Sequence, residues 1–264
     1  MMDSYLHVES VYPNERDGRP PVLLVHGAAN GAWVWRAWLR ELASCGWEAH
    51  ALDLRGHGES SAVDLAQAGM LDYVDDVERV MAHLSCPPVL FGWSMGGLVA
   101  QQAAARHPEL PALGLFAPSP PLAVQGAGSE AAIAAIPDRF GPEFYGLDSP
   151  DSAAAVLSDL SPEEQAYVLA HPGQESGKAR RERKRGIEID AAAVRCPVLL
   201  MYGEQDAHFP PALCRAIASY YGAGAIAAPA SRHWGIVASA VIVAELAPQV
   251  DAWLRRVIPG IHWR

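Results

Sequence analysis

Gly92-Trp93-Ser94-Met95-Gly96 sets a serine between two glycines, where the apolar run "PPVLF" ends and the alanine-rich "LVAQQAAA" begins. In such a strand-to-helix turn the small residues let the two elements approach closely, and the serine is held out where its hydroxyl can act as a nucleophile. The helix that follows directs its free amides and dipole toward any negative charge forming beside Ser94. A serine hydroxyl is weakly nucleophilic at neutral pH, so it needs a base, usually histidine, and that base needs an orienting carboxylate. Asp206 in "MYGEQDAHFPP" and His233 in "APASRHWG" each follow a later apolar run, in the chain order Ser, Asp, His that this arrangement uses.

Other acids and histidines compete for these roles. Glu204 lies closer to its apolar run and reads as a turn residue; His26 and His57 belong to the turn motifs "HG" and "RGHG". His208 is too near Asp206 to stand in for a loop after the last strand, and His262 is the remaining rival. An oxyanion formed on attack needs backbone donors. The amide of Met95, next after the nucleophile, supplies one, and the amide of Ala28 in "HGAANG" supplies the other. Trp93 and Trp234, neighbours of the nucleophile and the base, are candidate pocket residues, whereas Trp33, Trp35 and Trp38 read as core packing.

The elements that must bring these residues together are legible as alternation. Short apolar runs at 20–27, 47–56, 87–94, 112–119, 196–203 and 224–231 read as buried parallel strands, and amphipathic stretches between them read as helices. Strand and helix in repetition predict an α/β fold with right-handed crossovers. The carboxyl ends of parallel strands share one edge of the sheet, so Ser94, Asp206 and His233 can meet there despite their separation in sequence. The opening "SYLHVESVY" alternates as an antiparallel edge strand would.

From about Pro120 to Ala193 the rhythm stops, with no strand candidate and abundant Pro, Gly, Ser and Ala. Ser149 before Pro150 is one helix start, and Ser161-Pro162-Glu163-Glu164 is a capping box. A structureless loop of this length is improbable in a compact domain. The expectation is a helical cap over 120–193 inserted into a core formed by 1–119 and 194–264. Its basic run "GKARRERKRG" (177–186) reads as a solvated helix face that includes Glu182.

At 264 residues, half of them hydrophobic, the chain can bury the core of a single α/β domain, and its net charge of −10 argues against nucleic acid or an anionic membrane as partner. Cys45, Cys86, Cys196 and Cys214 are scattered without a CxxC pair, so buried reduced thiols are expected, and no metal-ligand cluster is visible. Neither a signal peptide nor an apolar span of membrane length is present, which makes the cytoplasm the default location.

"HGAANGAWVW", "DLRGHGES", "GWSMGG", "GEQD" and "RHWG", in this order and spacing, resemble the α/β-hydrolase fold family over nearly the whole chain. The resemblance implies an eight-stranded, mostly parallel sheet, a cap after the sixth strand, and a cofactor-independent Ser94-His233-Asp206 triad between cap and core. Serine at position 94 argues against the dehalogenases and epoxide hydrolases of that family, which use aspartate there. HGAA in place of HGGG argues against bulky tertiary-alcohol esters. The expected activity is cleavage of a small carboxylic ester through an acyl-enzyme, by a monomer or homodimer. A lactonase, a C–C bond hydrolase, a haloperoxidase-type perhydrolase or an acyltransferase would keep the same triad, as would a small-molecule receptor with little turnover.

Overall fold

The computed structural model describes residues 5–15 and 18–258. Its strands are β1 (Val8–Val11), β2 (Val22–Val25), β3 (Ala49–Leu52), β4 (Val89–Trp93), β5 (Leu113–Phe116), β6 (Arg139–Phe140), β7 (Glu175–Ser176), β8 (Val198–Gly203) and β9 (Gly224–Ala228). Seven of them form one sheet in the order β1-β3-β2-β4-β5-β8-β9, parallel throughout except for β1 against β3. The helices are α1 (Arg36–Ser44), α2 (Met70–Met81), α3 (Met95–Arg106), α4 (Leu122–Gln125), α5 (Glu130–Ala134), α6 (Pro150–Val156), α7 (Pro162–Leu169), α8 (Gly177–Arg185), α9 (Pro211–Tyr220), α10 (Gly235–Ala238) and α11 (Ala240–Val257).

Strand residues alternate between two cores, because successive side chains leave a strand on opposite faces. Leu24, Ala49, Phe91 and Met201 pack with Trp38 of α1 and Val243 and Leu254 of α11. Leu23, Leu52, Leu90 and Leu200 pack on the other face with Val74 of α2, Val99 of α3 and Ile217 of α9. A sheet covered on both faces needs the near-continuous apolar strands that the sequence carries.

Among the described residues the sheet has seven strands where the resemblance implies eight. Just before β1 the chain is engaged elsewhere: the amides of Tyr5 and His7 donate to the hydroxyls of Ser61 and Ser60, and their carbonyls accept from Ser61 and Asp53. Those backbone groups are therefore unavailable to a further strand. Residues 1–4 and 259–264, with the rival His262, lie outside the described residues.

Between β5 and β8 the expected helix starts occur, with Ser149 accepting from the Ser152 amide and Ser161 and Glu164 forming a reciprocal capping box. The segment is not strand-free as expected, since β6 and β7 pair as a two-residue antiparallel ribbon. Such a ribbon is too short to leave a period in the sequence. All four cysteines are free, but only Cys214 is buried, and Cys86 is exposed. No helix among the described residues is long and apolar enough to cross a membrane.

Candidate active site

Ser94 closes β4 and opens α3 with φ +54° and ψ −117°, a conformation that L-residues rarely adopt and that costs on the order of 1–3 kcal/mol. The turn is pinned from both sides: the Ser94 amide donates to the Phe116 carbonyl at 3.0 Å, and the Ser94 carbonyl accepts from Ser119 at 2.8 Å and Gly97 at 3.1 Å. The flanking glycines are required by contact. A Cβ on Gly92 would lie 2.3 Å from the Gly96 carbonyl oxygen, and one on Gly96 would lie 2.3 Å from that of His26.

Asp206, beyond β8, is buried and accepts three hydrogen bonds. His208 and Phe209 donate backbone amides to Oδ1 at 2.7 and 2.9 Å, and His233 Nδ1 donates to Oδ2 at 2.8 Å. Burial opposes ionisation, but the hydrogen bond and charge of His233 and the two amides outweigh it, so the Asp206 pKa falls below the ordinary carboxylate value. With Nδ1 committed as donor, His233 Nε2 is left as the acceptor of the ring. Trp93 holds the His233 backbone, its indole N–H donating to the carbonyl at 3.2 Å. Glu204 is exposed at the loop start and takes no part in this pair.

Ser94, Asp206 and His233 line one cavity of about 500 Å³, together with Ala28, Trp93 and Trp234. Among the described residues no hydrogen bond joins the Ser94 hydroxyl to His233. Catalytic hydrogen bonds commonly tighten only once substrate is held. The Met95 side chain is buried in the core, and the amide of Met95, first in its helix, has no intrahelical acceptor. Among the described residues neither that amide nor the Ala28 amide is spent on another hydrogen bond. Trp33, expected in the core, instead lines the cavity and stacks on His171 at 5.0 Å between ring centroids.

Behind the Ala28 loop lies a buried polar network that has no local signal in the sequence. Glu175 of β7 accepts from the Ala29 amide at 3.0 Å, the Tyr73 hydroxyl at 2.6 Å and its neighbour Ser176 at 2.7 Å. His57 Nε2 stands 3.3 Å from Glu175 Oε2, close enough to pair but not aligned as a hydrogen bond. Burial again opposes ionisation, and the His57 charge with these hydrogen bonds reverses it, placing the Glu175 pKa at about 2. His57 moves the other way: burial lowers its pKa, and the Glu175 charge raises it above the ordinary value.

His26, a turn residue by its motif, ties two loops together. Its Nδ1 donates to the Gly27 carbonyl at 2.7 Å, and its Nε2 accepts from the Leu54 amide at 3.1 Å, so the ring must be neutral. Burial, then the charge of His57, depresses its pKa from 6.5 to about 4. The unfolded chain therefore binds a proton at this residue that the folded chain refuses, and stability falls as pH drops from 6.5 toward 4. Melting temperatures across that window are expected to decline by several degrees, and His26→Gln flattens the decline. An equally steep decline in the variant would exclude His26 as its source.

A family model described as alpha/beta hydrolase fold matches residues 20–118. Among curated proteins, a pimeloyl-[acyl-carrier protein] methyl ester esterase of Chromobacterium violaceum is 31% identical over 218 residues, spanning 72% of this chain and 78% of that protein. A monoacylglycerol lipase of Mycolicibacterium smegmatis is 27% identical over 218 residues, spanning 78% and 76%. Among solved structures, a thermophilic esterase from Thermogutta terrifontis superposes with a TM-score of 0.75 at 24% identity, covering 96% of this chain and 94% of that one.

Proposed function

This chain belongs to the alpha/beta hydrolase fold family and is a carboxylic ester hydrolase; we propose that it cleaves a small ester through an acyl-enzyme formed on Ser94. Ser94 Oγ attacks the acyl carbon while His233 Nε2 takes its proton, and Asp206 holds the imidazole and stabilises the cation that results. The amides of Ala28 and Met95 receive the developing oxyanion. As the intermediate collapses, His233 passes the proton to the departing alkoxide. Water, deprotonated by the same nitrogen, then releases the acid. No cofactor enters any of these steps, and residues 120–193 act as the cap that roofs the pocket.

The observation that carries this reading is the Asp206–His233 hydrogen bond of 2.8 Å on the wall of the cavity that also holds the strained Ser94. Apolar side chains from the segment between β5 and β8, among them Leu147, Val156, Val168 and Leu169, line the same cavity and suit an aliphatic part of an ester. The test combines active-site labelling with turnover. A fluorophosphonate is expected to label Ser94 with loss of activity, and p-nitrophenyl acetate to give a burst equal to the enzyme concentration. p-Nitrophenyl esters of increasing chain length, run beside lactones and a vinylogous diketone, then rank the substrates. Tight small-molecule binding with no burst and no turnover would replace the enzyme by a receptor.

A further inference from the structure

The basic run on α8 divides between two environments, and only part of it is the solvated face expected from sequence. Lys184 and Arg185 are exposed, Arg181 pairs with Asp138 at 3.0 Å, and Glu182 caps α2 through the Met70 amide at 2.7 Å. Arg180 turns the other way and lines the same cavity as Ser94 and His233. Its guanidinium carbon lies 4.3 Å from the centre of the Phe144 ring and 5.4 Å from that of Phe140. Its Nε is buried with no hydrogen-bond partner among the described residues. One helical turn on, Arg183 donates to the Ser119 hydroxyl at 3.3 Å, and the Ser119 amide is, with that of Gly97, one of the two that hold the Ser94 carbonyl.

Among the described residues neither Arg180 nor Arg183 forms an ion pair. Among the residues lining the cavity the acid is Asp206, committed to His233, and the acids close behind the lining are engaged elsewhere, Glu175 with Ala29, Tyr73 and His57, Asp159 with the amides of Arg232 and Gly235, and Glu143 with that of Gly141. Removing a guanidinium from water without a counter-charge is costly, and the cost shows as a lowered Arg180 pKa, caused by burial and then by the charge of Arg183. A chain with net charge −10 has carboxylates in excess, yet none is spent on this cavity cation. The Phe144 ring lies against its face and the Tyr145 ring stands 5.9 Å away, yet among the described residues no hydrogen bond occupies its N–H groups, which match a planar carboxylate through two parallel N–H bonds.

We propose that Arg180, backed by Arg183, is a carboxylate-binding subsite of the pocket, so that the preferred substrate is an ester that also carries a free carboxylate. The inference rests on the ester-hydrolase reading of the same cavity and adds a substrate class to it. The anionic group engages the Arg180 edge while the scissile carbonyl lies against Ser94. A neutral ester of the same shape leaves the guanidinium unpaired, and a site built around a charged partner discriminates against a ligand that lacks it.

The test compares matched pairs on both sides of the ester bond: monomethyl adipate against methyl adipamate, and 4-acetoxybutanoate against 4-acetoxybutanamide. In the wild type, kcat/KM for the carboxylate of at least one pair is expected to exceed that for its amide about tenfold or more, as charge-assisted hydrogen bonds of this kind allow. Arg180→Gln brings that ratio close to one, and Arg180→Lys retains part of it. The wild-type ratio is informative even where a variant folds poorly. Equal turnover of carboxylate and amide in both pairs would overturn the subsite while leaving the ester hydrolase intact. Failure to cleave any of the four, with no labelling of Ser94, would instead overturn the reading of the cavity itself.

Discussion

Ser94→Ala is expected to lower kcat/KM on p-nitrophenyl acetate by about 10⁴-fold or more, leaving only what the oxyanion donors and binding supply. The loss is large because in the proposed mechanism nucleophile, base and orienting acid act as a unit, so removal of the first silences the other two. The fold tolerates the change. The Ser94 hydroxyl makes no hydrogen bond among the described residues, and its backbone is held by Phe116, Gly97 and Ser119 through groups that alanine keeps. A second variant separates chemistry from strain. Ser94→Gly, equally inactive, places at φ +54° the one residue without a Cβ penalty, and is expected to be more stable than wild type by about 1–3 kcal/mol. Hydrolysis at wild-type rates by either variant would remove Ser94 from the mechanism, and a lower melting temperature for glycine would show that the turn stores no strain.

What was legible in the sequence followed from local context. Ser94 stands out as the candidate nucleophile because a turn motif sits between a strand and a helix, and Asp206 and His233 as its candidate partners because each follows an apolar run whose end lies on the same sheet edge. The cavity-facing position of Arg180 is not legible in the sequence, because the seven charged residues of "KARRERKR" leave no apolar stripe from which to read its facing, and only tertiary packing turns one side of α8 toward the cavity. Trp33 was misplaced for a related reason. Three tryptophans at helical spacing look alike, yet Trp33 and Trp35 both sit in the 3₁₀ turn Ala32–Trp35 before α1, where positions two apart leave on different faces, so Trp33 meets His171 while Trp35 and Trp38 enter the core. Glu175 left no local signal at all, since in the polar stretch "GQESGK" it resembles a surface loop residue. Its partners Ala29, His57 and Tyr73 are more than a hundred positions away.

Glu175→Gln is expected to destabilise the protein by about 3–5 kcal/mol, the cost of removing one partner from a buried ion pair. The oxygen of the isosteric amide can keep the Tyr73 and Ser176 donors that share Oε1, but its NH₂ must then face the Ala29 amide at the Oε2 position, and His57 is left without a counter-charge. The penalty depends on pH in a direction that the two pKa shifts set. A Glu175 pKa near 2, below its unfolded value of 4.5, stabilises the fold above pH 4.5 and fades as pH falls toward 2. A raised His57 pKa stabilises fully below pH 6.5 and fades as pH rises through the folded value. The gap between wild type and variant in denaturant unfolding is therefore widest between about pH 4.5 and 6.5 and narrows on either side. Activity is expected to fall with it, because Glu175 holds the amide of Ala29, a non-glycine residue at φ +57°, and Ala28 beside it carries the proposed oxyanion donor. Loss of that grip lets the loop relax, which lowers kcat with little change in KM, since the ground-state ester does not use the oxyanion donors fully. An unfolding gap that stays constant from about pH 3 to 9 would place the Glu175 contribution in neutral hydrogen bonds and remove the ion pair from the account.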